Sequence, residues 1–320
     1  MISVAIPVGR FMQWIPRVGV ISLIMVLCSC TLTQTISPTK IAYTVKKNDI
    51  DRMTSPFPEV SSEDAKMLWG QEIIIGKAFA RDLDFYRAIT SFKRAVILMP
   101  KSAVQRRLEV EYDIVMSYYC GRKYIDAIQI FEKGWLANVS ETFPAYRDLL
   151  IILYDSYKHV GYHDKGRAIL QVLEKCDAGA ARKMPLAMAL VSHDSEVLKK
   201  ESDFSALMER CKCKEKSVEM ARVLSVIPGA GYWYVGQKKS AMTSFLLNGL
   251  FIAAASHFFD RGDTAAGIIT LGFEAGWYFG GINGAGIAAQ QYNVAVFENE
   301  AGKIMMRERW FPVLMLQHAF

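Results

Sequence analysis

Few side chains in this 320-residue chain stand at a spacing that does chemistry. Cys211-Lys212-Cys213 would supply half of a thiolate metal site, but no second Cys/His pair stands at a matching spacing, so no metal is expected. A disulfide from Cys176 to one of that pair, or free thiols, are the readings that remain. There is no nucleophile elbow, phosphate loop, zinc-ligand helix or pair of catalytic carboxylates, so neither a catalytic residue nor a cofactor is expected. One carboxylate has an unusual setting: Glu274 is the single formal charge in the 26 residues Thr264 to Ala289. Counted outward from the polar turn Asp260-Arg261-Gly262-Asp263, it lies at the depth of Asn248. The two are a candidate intramembrane polar pair, either a proton site or a neutral hydrogen bond. Gly272, Gly276, Gly280 and Gly284 recur every fourth residue and so share one helix face. Absent side chains allow backbone-to-backbone packing as a glycine zipper, within a helix pair or between copies; a pore wall is the sharper alternative.

These residues need long apolar helices to carry them. Lys238-Lys239 open a 19-residue uncharged stretch, Ala241 to Phe259, long enough to cross a bilayer as a helix. With the four-residue turn and the stretch that follows, it predicts an antiparallel hydrophobic hairpin within 218–291. His257 falls near the turn, at an interfacial depth. Just upstream, Ile227-Pro228-Gly229-Ala230-Gly231-Tyr232-Trp233-Tyr234-Val235-Gly236 supplies a bend and interfacial rings. It resembles the Pro-Gly-x-Gly…Tyr-x-Gly opening of small two-helix membrane modules of bacterial envelope proteins. That resemblance implies a location more than an activity.

Between about 62 and 217 the apolar residues take helical spacing, and the pattern recurs. Phe79, Tyr118 and Tyr157 are 39 apart, as are Ala88, Ala127, Gly166 and Phe92, Phe131, Leu170. A small residue where two helices cross, followed four positions on by a large apolar one, is the pattern of a helical hairpin that must stack to bury its face. Gly76, Phe79, Ala88, Phe92, Ala95 and Pro100 resemble the tetratricopeptide repeat, with a second unit keeping Tyr118, Tyr124, Ala127 and Phe131 and an eroded third. The resemblance implies an all-α fold, antiparallel hairpins stacked as a short solenoid, and a groove that holds a peptide or helix of an unknown partner protein. Tyr86, Tyr112, Tyr119 and Tyr146 are candidates for that groove, although aromatics at helical spacing also serve as core. A further helical region, Pro185 to Lys216, would cap the stack.

Arg10 and Arg17 precede an apolar stretch too short to span a membrane, which reads as a secretory signal in 1–30. It ends in Leu27-Cys28-Ser29-Cys30, which resembles a bacterial lipobox and implies lipidation of Cys30. Residues 31–61, rich in Thr, Ser, Pro and Lys, read as a flexible tether, and 292–320 carries no assignment. The expected location is the cell envelope, with the repeats on the periplasmic side. Lys238, Lys239, Lys303, Arg307 and Arg309 then flank the hairpin contrary to the positive-inside tendency, which leaves shallow insertion, the outer membrane or a soluble helix pair open. A net charge of +6 with no basic run excludes nucleic acid as an expected partner. The expected function is therefore a non-enzymatic envelope scaffold in contact with membrane lipid; the alternative is a homo-oligomeric pore or transport component with the repeats as its docking domain.

Overall fold

The computed structural model describes residues 41–200 and 204–320, so Cys30, the expected signal and the first ten residues of the expected tether lie outside it. Among the described residues the chain is all-helical, and one isolated parallel bridge joins Thr54 to His318. It forms two compact units, one of 39–209 with 298–320, the other containing 210–297.

In the first unit a short helix, Lys47–Asp51 (α1), precedes three helix pairs. These are Leu68–Arg81 (α2) with Phe85–Leu98 (α3), Val104–Cys120 (α4) with Tyr124–Lys133 (α5), and Tyr146–Val160 (α6) with His163–Cys176 (α7). Each helix packs on the next, and Ala178–Ser192 (α8) and Ser195–Lys200 (α9) follow. The 39-residue period has a backbone cause. Leu83, Arg122 and Gly161 all take left-handed φ, at 64°, 59° and 85°, and each ends the first helix of a pair. In each case the next amide donates to the carbonyl of Phe79, Tyr118 or Tyr157, five residues back, at 2.9, 2.8 and 2.9 Å. This closure, the Schellman motif, satisfies carbonyls that a helix end leaves open. Only Gly161 is the residue type that favours it; Leu83 and Arg122 adopt it at a steric cost on the order of 1 kcal/mol. Ala88 and Ala127 are fully buried at the crossings. A Cβ on Gly76 would meet the Phe92 ring at 2.6 Å, so that glycine sets how closely α2 and α3 approach.

The inner helices are covered on every side. In α6, Asp148 to Tyr157 are all buried, and in α4 Glu109 to Ser117 are. Neighbouring helices cover only part of that surface. The rest is covered by both ends of the unit. Ile41, Val45, Ile50 and Phe57 are buried, with the Phe57 ring 5.7 Å from Tyr112 and 5.5 Å from Phe143, and Arg106 donates to the Pro58 carbonyl at 3.0 Å. Residues 41–57 are therefore packed layer and not tether, because their apolar side chains are what α4 and α6 need against them. The 298–320 segment, unassigned from sequence, belongs to the same unit.

α4 also buries charge. Asp113 is fully buried, neither of its oxygens accepts a hydrogen bond among the described residues, and the Lys77 ammonium is 4.0 Å away while bonding Glu109 at 2.9 Å. Burial pushes the Asp113 carboxyl up to about 7, against the pull of Lys77. A native pKa above the unfolded one means that the folded state holds the extra proton between about 4 and 7, so this group lowers stability as pH rises through that window. Asp113→Asn removes the ionised state. Urea unfolding should show it more stable than wild type at pH 8, by up to roughly 4 kcal/mol, with the gain vanishing toward pH 4. A gain independent of pH would contradict this origin.

The second unit holds the end of Ser205–Lys214 (α10), then Val218–Leu224 (α11), Ala230–Tyr234 (α12), Lys238–Asp260 (α13) and most of Thr264–Arg307 (α14). Gly229 has φ of 85°, and a side chain there would collide with the Ala241 carbonyl. One at Gly231 would collide with Ser225 and the Ala221 carbonyl, and crowd Ala285. The Pro-Gly-x-Gly run thus lets α12 lie against α11, α13 and α14 at backbone distance. Ala221, Val235, Ala288 and Ala289 form the core there, ringed by Tyr232, Tyr234 and Tyr292. Asn293 clasps Lys216 through both its amide atoms, accepting from the backbone N–H at 2.8 Å and donating to the C=O at 2.9 Å.

Candidate functional site

The four tyrosines singled out from sequence do not form one surface. Tyr86 is 84% exposed, Tyr146 is half-buried, and Tyr112 and Tyr119 are core. Tyr112 packs edge-on against Phe57, and the Tyr119 hydroxyl donates to Asp155 at 2.7 Å. The groove reading fails for Tyr112 and Tyr119 because Phe57 and Phe143 cover the first and the second is tied to Asp155 inside the helix packing.

What lies on that covered face is the chain itself. α14 ends at Arg307, with Arg309 in a left-handed conformation at φ 53° and Trp310 donating back to Met305 at 2.8 Å. The chain then runs on as Phe311, a single turn Pro312–Met315 (α15) against α6 and α8, and an extended stretch to Phe320. Phe311 stacks on Tyr43 at 5.3 Å. Arg147 on α6 donates to the Met315 carbonyl at 3.0 Å and to Asp177 at 2.7 Å, where Asp177 also caps α8. Asp148, fully buried, accepts from the amides of Gln317 and His318 at 2.9 and 2.8 Å, with the His318 Nδ1 at 3.1 Å. Ala319 donates to the Thr54 carbonyl at 3.1 Å. Phe320, 1% exposed, lies 6.4 Å from both Phe85 and Phe92, while Arg81 reaches its carbonyl at 3.1 Å. Sequence reading missed this seat, although the unbroken apolar run Leu149 to Leu153 signalled a helix that needs cover on both sides.

Beside Phe311 is a cavity of about 220 Å³ lined by Tyr43, Tyr119, Tyr124, Asp155 and His159. The His159 Nδ1 is 2.9 Å from the Asp155 carbonyl and 3.2 Å from its carboxylate, and Tyr124 stacks on the ring at 4.2 Å. Both atoms facing Nδ1 are acceptors, so Nδ1 carries a proton. Burial alone would lower the imidazolium pKa, but Asp155 outweighs it and holds it above the ordinary value. The Cys120 thiol on the same wall is pushed up to about 12 by burial and stays un-ionised near neutral pH.

In the second unit Asn248 and Glu274 are 1% and 5% exposed. They do not pair. Phe259 lies against Gly267 and Ser244 against Gly281, a register that sets Asn248 level with about residue 277 and Glu274 with about residue 251. Side chains lean toward the N-terminal end of their own helix, so the two point apart along antiparallel helices. Asn248 donates to the Ser244 carbonyl at 2.5 Å instead, and among the described residues the Asn248 Oδ1 and Glu274 Oε2 accept no hydrogen bond. Of the zipper glycines, Gly272, Gly276 and Gly280 have nothing within 4 Å of a built Cβ, whereas Gly284 lies against the Tyr232 hydroxyl. Cys211 is buried and Cys213 exposed on α10; two residues apart on a helix, they do not converge. Among the described residues no disulfide forms, and no three His, Cys, Asp or Glu side chains group as a metal site.

The chain matches no protein-family model, no curated protein and no solved structure.

Asp148→Ala removes the acceptor for two tail amides, which should cost roughly 2 to 3 kcal/mol of stability. Hydrogen exchange should then show faster exchange at Gln317 and His318 while the α6 amides stay protected; unchanged tail exchange would show that Asp148 does not hold the segment.

Proposed function

We propose that the protein is a non-enzymatic scaffold of the cell envelope, lipidated at Cys30, with α2 to α7 as a tetratricopeptide-like stack that holds an extended partner segment. α13 and the first half of α14 then form a glycine-rich hairpin embedded in a membrane. One observation carries the membrane part: the burial pattern of the hairpin is inverted. Phe245, Leu246, Leu250, Ile269, Phe273 and Trp277 are exposed, while Ala241, Ser244, Asn248 and Glu274 are buried. Water penalises that arrangement and hydrocarbon does not. Among the described residues one helix, Lys238–Asp260, is long and apolar enough to cross a membrane by length and composition, and only 17% of its apolar window is buried. At ~1.5 Å per residue it is about as long as the hydrocarbon layer is thick. α14 does not reach the same hydropathy, its glycines and Glu274 lowering it.

The homo-oligomer reading has its own support in the open face at Gly272, Gly276 and Gly280, which leaves room for a second helix at close range.

Membrane fractions washed with alkaline carbonate should retain the full chain, and should retain it as Cys30→Ser, which carries no lipid; Leu250→Glu with Ile269→Glu in that background should release much of it. A wild-type chain that washes off would sink the membrane reading. Gly276→Leu with Gly280→Leu should abolish crosslinked oligomers without releasing the chain; oligomers of unchanged size would remove the homo-oligomer reading.

A further inference from the structure

We propose that residues 310–320 are an internal ligand, seated on the peptide-binding face of the repeat unit, and that a partner gains that face by displacing them. The proposal rests on the reading of the repeats as a stack that holds an extended segment.

The manner of recognition is the first argument. Asp148 takes the amides of Gln317 and His318, Arg147 the carbonyl of Met315, Arg81 the carbonyl of Phe320, and Thr54 the amide of Ala319. All five contacts are to main chain, which every peptide possesses, so they fix an extended path without demanding a sequence. Side-chain recognition is added at Phe311, stacked on Tyr43, at His318, whose Nδ1 lies 3.1 Å from Asp148, and at Phe320, received by Phe85 and Phe92. The partner chemistry that fits is therefore an extended, apolar segment with an aromatic side chain at the Phe320 position.

Access to the seat is the second argument. The 220 Å³ pocket beside Phe311 opens to the surface, so an incoming segment has room to engage the face beside the resident one.

The test uses the full chain in detergent micelles, with Cys176→Ser and Cys213→Ser to remove exposed thiols. Thr54→Cys with His318→Cys, at the bridged pair, locks the segment when oxidised and frees it when reduced. A second variant, Phe311→Ser, Leu316→Ser and Phe320→Ser, removes its apolar anchors. The probe is a fluorescein-labelled peptide of the sequence Trp310 to Phe320, read by anisotropy. Binding to the reduced form, and to the anchor variant, should be at least tenfold tighter than to the oxidised form. Equal affinity for locked and freed proteins would overturn displacement while leaving a peptide-binding stack elsewhere on the unit. Absence of binding to every form would overturn both this inference and the peptide-holding reading. If the anchor variant fails to fold, the reduced and oxidised comparison decides alone.

Discussion

Helix α6 is apolar all the way round, and the first unit follows from that. Leu149, Leu150, Ile151, Ile152 and Leu153 occupy five consecutive positions, so they point in every direction around the axis and all are buried. A helix in a single-layer stack has one face free; α6 cannot tolerate one. Burying each such side chain contributes about 1.5 to 3 kcal/mol, enough to draw a further layer of chain onto the open face. Residues 41–57 and 311–320 are that layer. The polar groups on α6 then serve the layer: Asp148 and Arg147 hold the main chain of the later segment, and Asp155 receives Tyr119 beneath the earlier one.

The second unit reverses the same logic. On α13 and the first half of α14 the small and polar side chains Ala241, Ser244, Asn248 and Glu274 are buried, and large apolar ones such as Phe245, Leu250 and Phe273 are exposed. Beside the small apolar core at Ala221, Val235, Ala288 and Ala289, close backbone approach holds the helices. Gly229, Gly231 and Gly267 stand where a side chain would collide with a neighbour, which identifies glycine geometry as the reason for the Pro-Gly-x-Gly motif. Gly272, Gly276 and Gly280 share their residue type but not their environment, since the space over them is open.

Turns tie the two units to one building rule. Leu83, Arg122, Gly161, Gly236, Gly262 and Arg309 all close helices with a left-handed residue, yet half of them are not glycine. The local steric cost at Leu83 and Arg122 is offset by the packing of the helix pairs those turns join. A reader looking for glycine at helix ends would find only part of the pattern.

Periodicity determined the helices and their order, because a 39-residue recurrence of small and aromatic residues reflects helix crossings that local spacing alone specifies. The long apolar stretches were likewise legible, being properties of single segments of chain, whereas of the glycines expected to pack closely Gly272, Gly276 and Gly280 meet nothing. Three things were decided only by the tertiary structure. The register of α13 against α14 separates Asn248 from Glu274, because it depends on which side chains meet across the turn. The burial of Tyr112 and Tyr119 depends on Phe57, Phe143 and Asp155, none of them on the same helix. The seat of residues 310–320 joins groups such as Arg81 and Phe320, 239 residues apart, and no local pattern encodes a contact at that separation.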